Sequence, residues 1–211
     1  MMKDERMPIR LLAADDHPML REGLAAVLSA QSDMVLVGEA HNGDEAVEAF
    51  RRLRPDVTLM DLQMPEMGGV EAISKIRHED PKARIIVLTT YSGDVQAMRA
   101  MKAGAAGYLL KSSMRKELLE AIRAVHAGRR YLPPEIANAI ALHAVDDTLS
   151  EREIATLRLV AEGKANKQIA RELSLSEDTV KTHLKNVFTK LDVDDRTHAV
   201  TVAVRRGILT Y

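Results

Sequence analysis

The chain of 211 residues contains no cysteine, which excludes disulfides and thiolate metal sites. Such a chain suits a reducing compartment. No apolar run approaches the roughly 20 residues that span a bilayer. Met1 to Arg10 carry no apolar stretch of the kind a secretory signal needs, so the expected localisation is cytoplasmic, with no membrane partner. Internal repeats and low-complexity tracts are lacking too. So is an excess of one charge: Lys and Arg number 30 against 31 Asp and Glu, a net charge of −1. A uniformly basic nucleic-acid binder is therefore excluded. From Thr148 to Tyr211 there are 11 cations and 9 acids, a balance of +2 that leaves −3 for the rest. That bias is weak, so a DNA-binding argument must rest on the placement of individual cations.

What is present is an ordinary globular composition, 46% apolar and 29% charged. The length allows one large or two small domains. From Ile9 to Lys111 short apolar runs alternate with amphipathic helical patterns. Ile9 to Ala14 reads as a strand that ends at Asp15 and Asp16. Pro18 then opens a helix, where its missing N–H costs nothing, and Leu20, Leu24, Val27 and Leu28 form its apolar face. Val35 to Val37 is a second strand. Asn42 caps a helix that Pro55 stops. Val57 to Met60 delivers Asp61 at a strand tip, followed by a turn through Pro65, Gly68 and Gly69. A helix from Val70 to Ile76, a strand from Ile85 to Leu88 ending on Thr89, and a helix from Asp94 to Ala103 follow. Gly107 to Leu110 ends on Lys111, and a helix from about Arg115 to Ala127 stops at Gly128.

Five strand–helix units with continuously apolar strands predict an α/β fold with helices on both faces of a parallel sheet. Right-handed crossovers leave few topologies, and the flavodoxin-like order 2-1-3-4-5 is the commonest for five strands. In that sheet Asp15, Asp16, Asp61, Thr89 and Lys111 all fall at carboxyl ends of strands. Three gathered carboxylates repel one another unless a cation joins them, and a hard, oxygen-seeking ion such as Mg²⁺ suits them. Neutralising phosphoryl oxygens is the main task of phosphoryl transfer, so Mg²⁺ and Lys111 together point to that chemistry. Asp61, at the centre of the sheet, is the carboxylate expected to attack. Singly, an Asp at a strand end is more often a turn former, and a lone Lys is a solvated charge. The joint pattern over successive strand ends is the informative signal.

These residues carry a family resemblance. Asp15-Asp16, Asp61 with Met64-Pro65, Thr89, and Gly104-Ala105-Ala106-Gly107-Tyr108 before Lys111 resemble the receiver domain of two-component response regulators. The resemblance implies that Asp61 accepts a phosphoryl group from a histidine kinase. It implies that Asp15, Asp16, Asp61 and the backbone carbonyl of Gln63 bind Mg²⁺. Thr89 would bond the phosphoryl oxygen, Tyr108 would rotate inward in concert, and Lys111 would hold the phosphate. Gly68 stands where many relatives carry Asp or Asn. Gln63 and Tyr91 occupy positions that tune phosphate lifetime in that family.

The carboxyl-terminal part has no strand pattern and reads as four helices. In the third, about 100° per residue places Val180, Leu184, Val187, Phe188 and Leu191 on one side. Thr182, Lys185, Asn186 and Thr189 fall opposite, with Lys181 on the flank. Ser176 is the expected N-cap. Thr179 to Lys190 holds three lysines and no acid, which suits a helix entering a major groove. A solvated amphipathic helix would also show such a pattern, but the turn Ser174-Leu175-Ser176 joins Asn166–Leu173 to it at helix-turn-helix spacing. Leu149-Ser150-Glu151-Arg152-Glu153, Gly163 to Ala170, Ser176 to His183, Lys190-Leu191 and Arg196-Thr197 resemble the LuxR-type DNA-binding domain. That implies base contacts by Lys181, Thr182 and Lys185, and phosphate contacts near Asn166, Lys167, Thr179 and His183. It also implies pairing of the last helix, Asp195 to Arg206, with its twin in a homodimer.

Together the halves resemble the NarL/FixJ group of response regulators. The expected layout is a receiver domain over 8–127, a linker with a short helix over 128–146, and an all-α four-helix LuxR-type helix-turn-helix domain over 147–211. The expected function is a DNA-binding regulator rather than an enzyme, with double-stranded DNA and a cognate histidine kinase as partners and phosphorylation promoting dimerisation. Two rival readings stand beside it. A Mg²⁺-dependent phosphohydrolase of the haloacid-dehalogenase type would need an acid where Gln63 stands. A receiver that works without phosphate would not need all five site residues.

Overall fold

A computed structural model describes residues 7–90, 94–143 and 149–209. Tyr91, the acidic pair Asp146-Asp147 and the start of the expected second domain at 147 lie outside them. The strands are β1 (Ile9–Ala14), β2 (Met34–Ala40), β3 (Val57–Asp61), β4 (Ile85–Thr89) and β5 (Gly107–Leu110). They form one parallel sheet in the order β2-β1-β3-β4-β5, the expected topology. β3 lies between β1 and β4, and all five of its residues are buried, as required of a strand with a helical layer on either face.

The intervening helices are α1 (Pro18–Ser29), α2 (Gly43–Leu53), α3 (Gly69–Glu79), α4 (Asp94–Ala103) and α5 (Met114–His126). Local chemistry sets their ends. Pro18 occupies the first turn of α1. The Asn42 side chain accepts the Glu45 N–H at 2.8 Å to open α2, and a left-handed Arg54 ends it just before Pro55. The core between the sheet and α1 and α5 gathers Leu11, Leu24, Leu28, Leu59, Ile86, Leu109 and Ile122. Completely burying one such side chain stabilises the fold by roughly 1.5–3 kcal/mol.

The compact unit that contains the sheet continues to Pro134, beyond the expected boundary at 127. The reason is a bridge at the sheet edge. Tyr131 donates its N–H to the Ala106 carbonyl at 3.1 Å and accepts the Tyr108 N–H at 2.8 Å, and its phenol donates to Glu117 at 3.0 Å. Tyr131, in the segment read as linker, thus adds one isolated bridge beside β5.

The main segment of the second unit runs from Glu135, one residue into α6 (Pro134–His143), and contains α7 (Glu151–Ala161), α8 (Asn166–Glu172), α9 (Glu177–Leu191) and α10 (Arg196–Arg205). Ser150 and Glu153 form a reciprocal capping box at the start of α7, a motif that satisfies two otherwise orphaned N–H groups. Leu157, Ile169, Val180, Leu184, Val187 and Ala199 make its core.

Candidate functional site

Asp61 ends β3 and is 2% exposed. Asp15 follows β1 and is fully buried, and Asp16 beside it is half-buried. Lys111, just past β5, places its Nζ 2.8 Å from Oδ2 of both Asp15 and Asp61. Only Asp61 receives that ammonium in hydrogen-bond geometry; the contact with Asp15 is an ion pair without a directed bond, so Asp15 Oδ2 has no hydrogen-bond donor. Asp16 Oδ1 has none either, although His17 Nδ1 stands 2.7 Å away.

The electrostatics match a strained cluster of like charges. Burial pushes the Asp61 carboxyl above its ordinary range, and the neighbouring Asp15 charge adds to this against the pull of Lys111. Burial works against the Lys111 charge, but the Asp15 and Asp61 carboxylates outweigh it and hold the ammonium above its usual range. One ammonium therefore serves the two buried carboxylates, Asp15 and Asp61, and leaves Asp16 to His17. Oxygens of Asp15, Asp16 and Asp61, with a ring nitrogen of His17, lie within 4.8 Å of one another. Two oxygens without donors in such a set fit a hard divalent cation, which needs oxygen ligands rather than hydrogen bonds. The Gln63 N–H donates to Asp61 Oδ1 at 3.3 Å.

Two residues of this cluster escape the sequence reading. His17 donates its N–H to Asp15 Oδ1 at 2.9 Å; its adjacency to Asp15-Asp16 was the available signal. Arg21, buried on α1, donates to the Asp15 carbonyl at 2.7 Å and to Glu39 at 3.0 Å, which fixes the backbone that carries the acids. Its position on an otherwise apolar helix face was the available signal.

Thr89 closes β4 and is buried. Its carbonyl accepts the Lys111 N–H at 2.7 Å, which ties the two strand ends together. Tyr108 is fully buried. Burial pushes its phenol well above the ordinary range, and a hydrogen bond with Thr89 opposes that. The ring is thus buried with its phenol bonded to Thr89.

In the second unit α8 and α9 are joined through Leu173, a left-handed Ser174, Leu175 and Ser176. Ser176 accepts the Thr179 N–H at 3.1 Å, as its expected cap role requires. Val180, Leu184, Val187 and Leu191 are buried on one side of α9. Lys181, Thr182, Lys185, Asn186 and Thr189 are exposed, Thr179 and His183 half-buried. On α8, Asn166 is half-buried and Lys167 exposed.

The structure corrects one expectation here. The three lysines of α9 are not all uncompensated. Lys181 pairs with Asp178 at 2.9 Å, one residue before the window that contains no acid. Lys190 reaches across to Glu153 of α7 at 2.9 Å, and holds the helices together. Among the described residues no carboxylate lies within ion-pair distance of Lys185.

Comparison with known proteins agrees with this geometry. Residues 11–123 match the response regulator receiver domain, and residues 147–203 match the bacterial regulatory proteins of the luxR family. The transcriptional regulatory protein LiaR of Bacillus subtilis (strain 168) is 43% identical over 209 residues, which cover 95% of this chain and 99% of LiaR. The structure of RcsB from Salmonella enterica serovar Typhimurium, bound to promoter P1flhDC in the presence of phosphomimetic BeF₃⁻, superposes with a TM-score of 0.72. It is 27% identical and covers 92% of this chain and 97% of its own. A structure of two RcsB dimers bound to two parallel DNAs gives a TM-score of 0.70 at 25% identity, over 94% of this chain and 98% of its own. With a receiver sheet carrying an acid cluster and a helix-turn-helix unit following it, the chain belongs to the two-component response regulators of the NarL/FixJ group, which are DNA-binding transcription regulators.

Proposed function

We propose that phosphorylation of Asp61 by a histidine kinase, with Mg²⁺, switches dimerisation and operator binding of this regulator. The observation that carries the reading is the buried Asp61 held 2.8 Å from a Lys111 that it shares with Asp15, beside carboxylate oxygens with no donor. In the transfer, an Asp61 oxygen forms a bond to phosphorus while the bond from phosphorus to the donor imidazole nitrogen breaks, and the imidazole keeps the electron pair. Asp15, Asp16, Asp61 and the Gln63 carbonyl would hold Mg²⁺, which when bound offsets charge on the phosphoryl oxygens. Lys111, beside Asp61, would offset part of the remaining charge. Gln63 offers no general acid for turnover, which argues against the phosphohydrolase reading.

The acyl phosphate adds charge and acceptor oxygens beside Thr89. A hydroxyl can donate and accept at once, so Thr89 can donate to a phosphoryl oxygen while keeping its bond with Tyr108. Phosphate then favours whichever packing around β4, β5 and α4 makes both bonds well, a shift of population rather than a new fold.

The output is α9 in a DNA major groove, with Lys181, Thr182 and Lys185 towards base edges and Thr179, His183, Asn166 and Lys167 towards phosphates. Lys185, with no carboxylate partner, is the strongest candidate for a base contact. Lys181 must first leave Asp178. Two copies would read a two-fold operator in the cytoplasm.

Asp61→Asn is expected to abolish labelling by a phosphodonor and the phosphate-dependent tightening on operator DNA; an unchanged phosphate response refutes the assignment. Lys185→Ala is expected to weaken specific binding by about 1–3 kcal/mol. Equal loss on random DNA would refute base contact in favour of phosphate contact.

A further inference from the structure

The sheet has a second charged feature, at the edge opposite Asp61, where β4 and β5 begin. A hollow of 330 Å³ opens there among Arg77 of α3, Lys82 and Arg84 of the segment before β4, and Arg129 and Arg130 just after α5. Its floor is small and apolar, made by Ala83, Ala105, Ala106 and Val125. No acid lines it. Of the acids at the end of α3, Glu79 pairs with Arg51, while Asp80 accepts the Lys82 backbone N–H at 2.9 Å and stands 3.9 Å from Arg54. Among the described residues no carboxylate lies within ion-pair distance of any of the five cations.

One of these cations is held in place without a counter-charge. Arg77 donates from Nη1 to the Ala83 carbonyl at 3.0 Å and lies across Gly104, where a Cβ would come within 2.6 Å of Nε. Gly104 has φ +109°, a backbone conformation natural to glycine. The Gly104-Ala105-Ala106 turn thus makes room for the guanidinium and floors the hollow at the same time. Fixing an arginine against a carbonyl leaves most of its donor fork unspent.

We propose that this hollow binds a small anion bearing a chain of two or more phosphoryl groups, either free or as the tail of a nucleotide. Four of the five cations are arginines, whose planar fork pairs with phosphate oxygens two at a time. Five positive charges exceed what a single orthophosphate can neutralise. The volume lies within the range of small-ligand pockets, about 300–1,000 Å³. A concave site suits a compact ligand, whereas the phosphate backbone of a duplex is convex and would meet only the rim. The apolar floor offers a surface for a base.

The test is calorimetric titration of the full chain, without Mg²⁺, with tripolyphosphate, ATP and orthophosphate in turn. Tripolyphosphate is expected to bind once per chain and about tenfold more tightly than orthophosphate. Arg129→Gln with Arg130→Gln, both exposed and therefore tolerated by the fold, is expected to weaken it by about tenfold. Lys116→Gln with Arg152→Gln, exposed cations elsewhere, is expected to leave it unchanged. ATP binding more tightly than tripolyphosphate identifies a nucleotide ligand; equal binding identifies a bare phosphate chain. Absence of saturable binding, or an equal loss in the control pair, overturns the proposal. So does displacement of tripolyphosphate by short duplex DNA whose affinity falls in the Arg129/Arg130 variant, which would make the patch a DNA surface.

Discussion

Gly68 and Gly69 are neighbours in the turn after Asp61, yet alanine should have very unequal consequences at the two. A Cβ built on Gly69 comes 2.0 Å from the Asp61 carbonyl oxygen and 2.9 Å from both the Asp61 carbonyl carbon and the Leu62 Cα. All three are backbone atoms of the strand end, so no rotamer change relieves the clash. The Gly69 N–H also donates to the Leu62 carbonyl at 3.0 Å, which prevents the turn from simply swinging away. Overpacking of this kind costs about 1–3 kcal/mol, and immobile neighbours put Gly69→Ala at the upper end. For a unit of this size that corresponds to a fall in melting temperature of roughly 10 °C. At Gly68 the nearest atom to a built Cβ is the Leu62 carbonyl oxygen at 3.4 Å, an ordinary contact, and φ is −72°. Alanine there loses only a modest helix-cap preference, about 0.5–1 kcal/mol. Thermal unfolding of both variants, with phosphodonor labelling of Asp61 as the second readout, gives the comparison. Gly69→Ala should melt far lower and label poorly because the Asp61 backbone is displaced; Gly68→Ala should do neither. Matching melting points in the two variants would refute the reasoning.

Lys111→Ala removes a cation that opposes burial at Asp61. The Asp61 carboxyl should rise further, so the pH profile of phosphodonor labelling should move to higher pH; an unmoved profile would count against it. Glu153 is held below the ordinary carboxylate range: burial pushes it up, but the bonds from Lys190 and Ser150 prevail. Its folded value therefore lies below its unfolded value near 4.5. The stability it contributes is complete above that unfolded value and is lost as pH falls through the folded one. Glu153→Gln should thus lower the resistance of the second unit to urea at neutral pH and flatten its acid-induced loss. A variant that keeps the wild-type acid slope would show that another group is responsible.

The sheet was legible because its strands are nearly unbroken apolar runs and its helices are started or stopped by residues with one structural meaning, such as Asn42 at a start and Pro55 and Gly128 at stops. The acid cluster was legible because strand ends in a parallel sheet converge, so five separate positions became one site once the topology was chosen. What stayed hidden depends on contacts distant in sequence. Nothing local announces that Lys190 answers Glu153, or that Tyr131 returns to β5. Lys181 shows a subtler limit: its partner Asp178 is three residues away, but Asp178 also reads as a first-turn acid favoured by the helix dipole. The buried Tyr108 is a matter of rotamer, to which a sequence pattern is blind.

A parallel sheet normally leaves both outer strands with unpaired N–H and C=O groups, which invite another chain to add a strand. Here the two margins are blunted by different means. On one side Tyr131 occupies the groups of Ala106 and Tyr108, along a strand only four residues long. On the other, the register between β1 and β2 slips at Leu11/Leu12, where Leu11 faces Leu36 and Leu12 faces Gly38, so that Val37 is an extra residue and the outer strand is kinked. A bulge of this kind spoils the straight template that strand addition requires. A second copy of the chain is thereby denied a straight, open edge on which to continue the sheet.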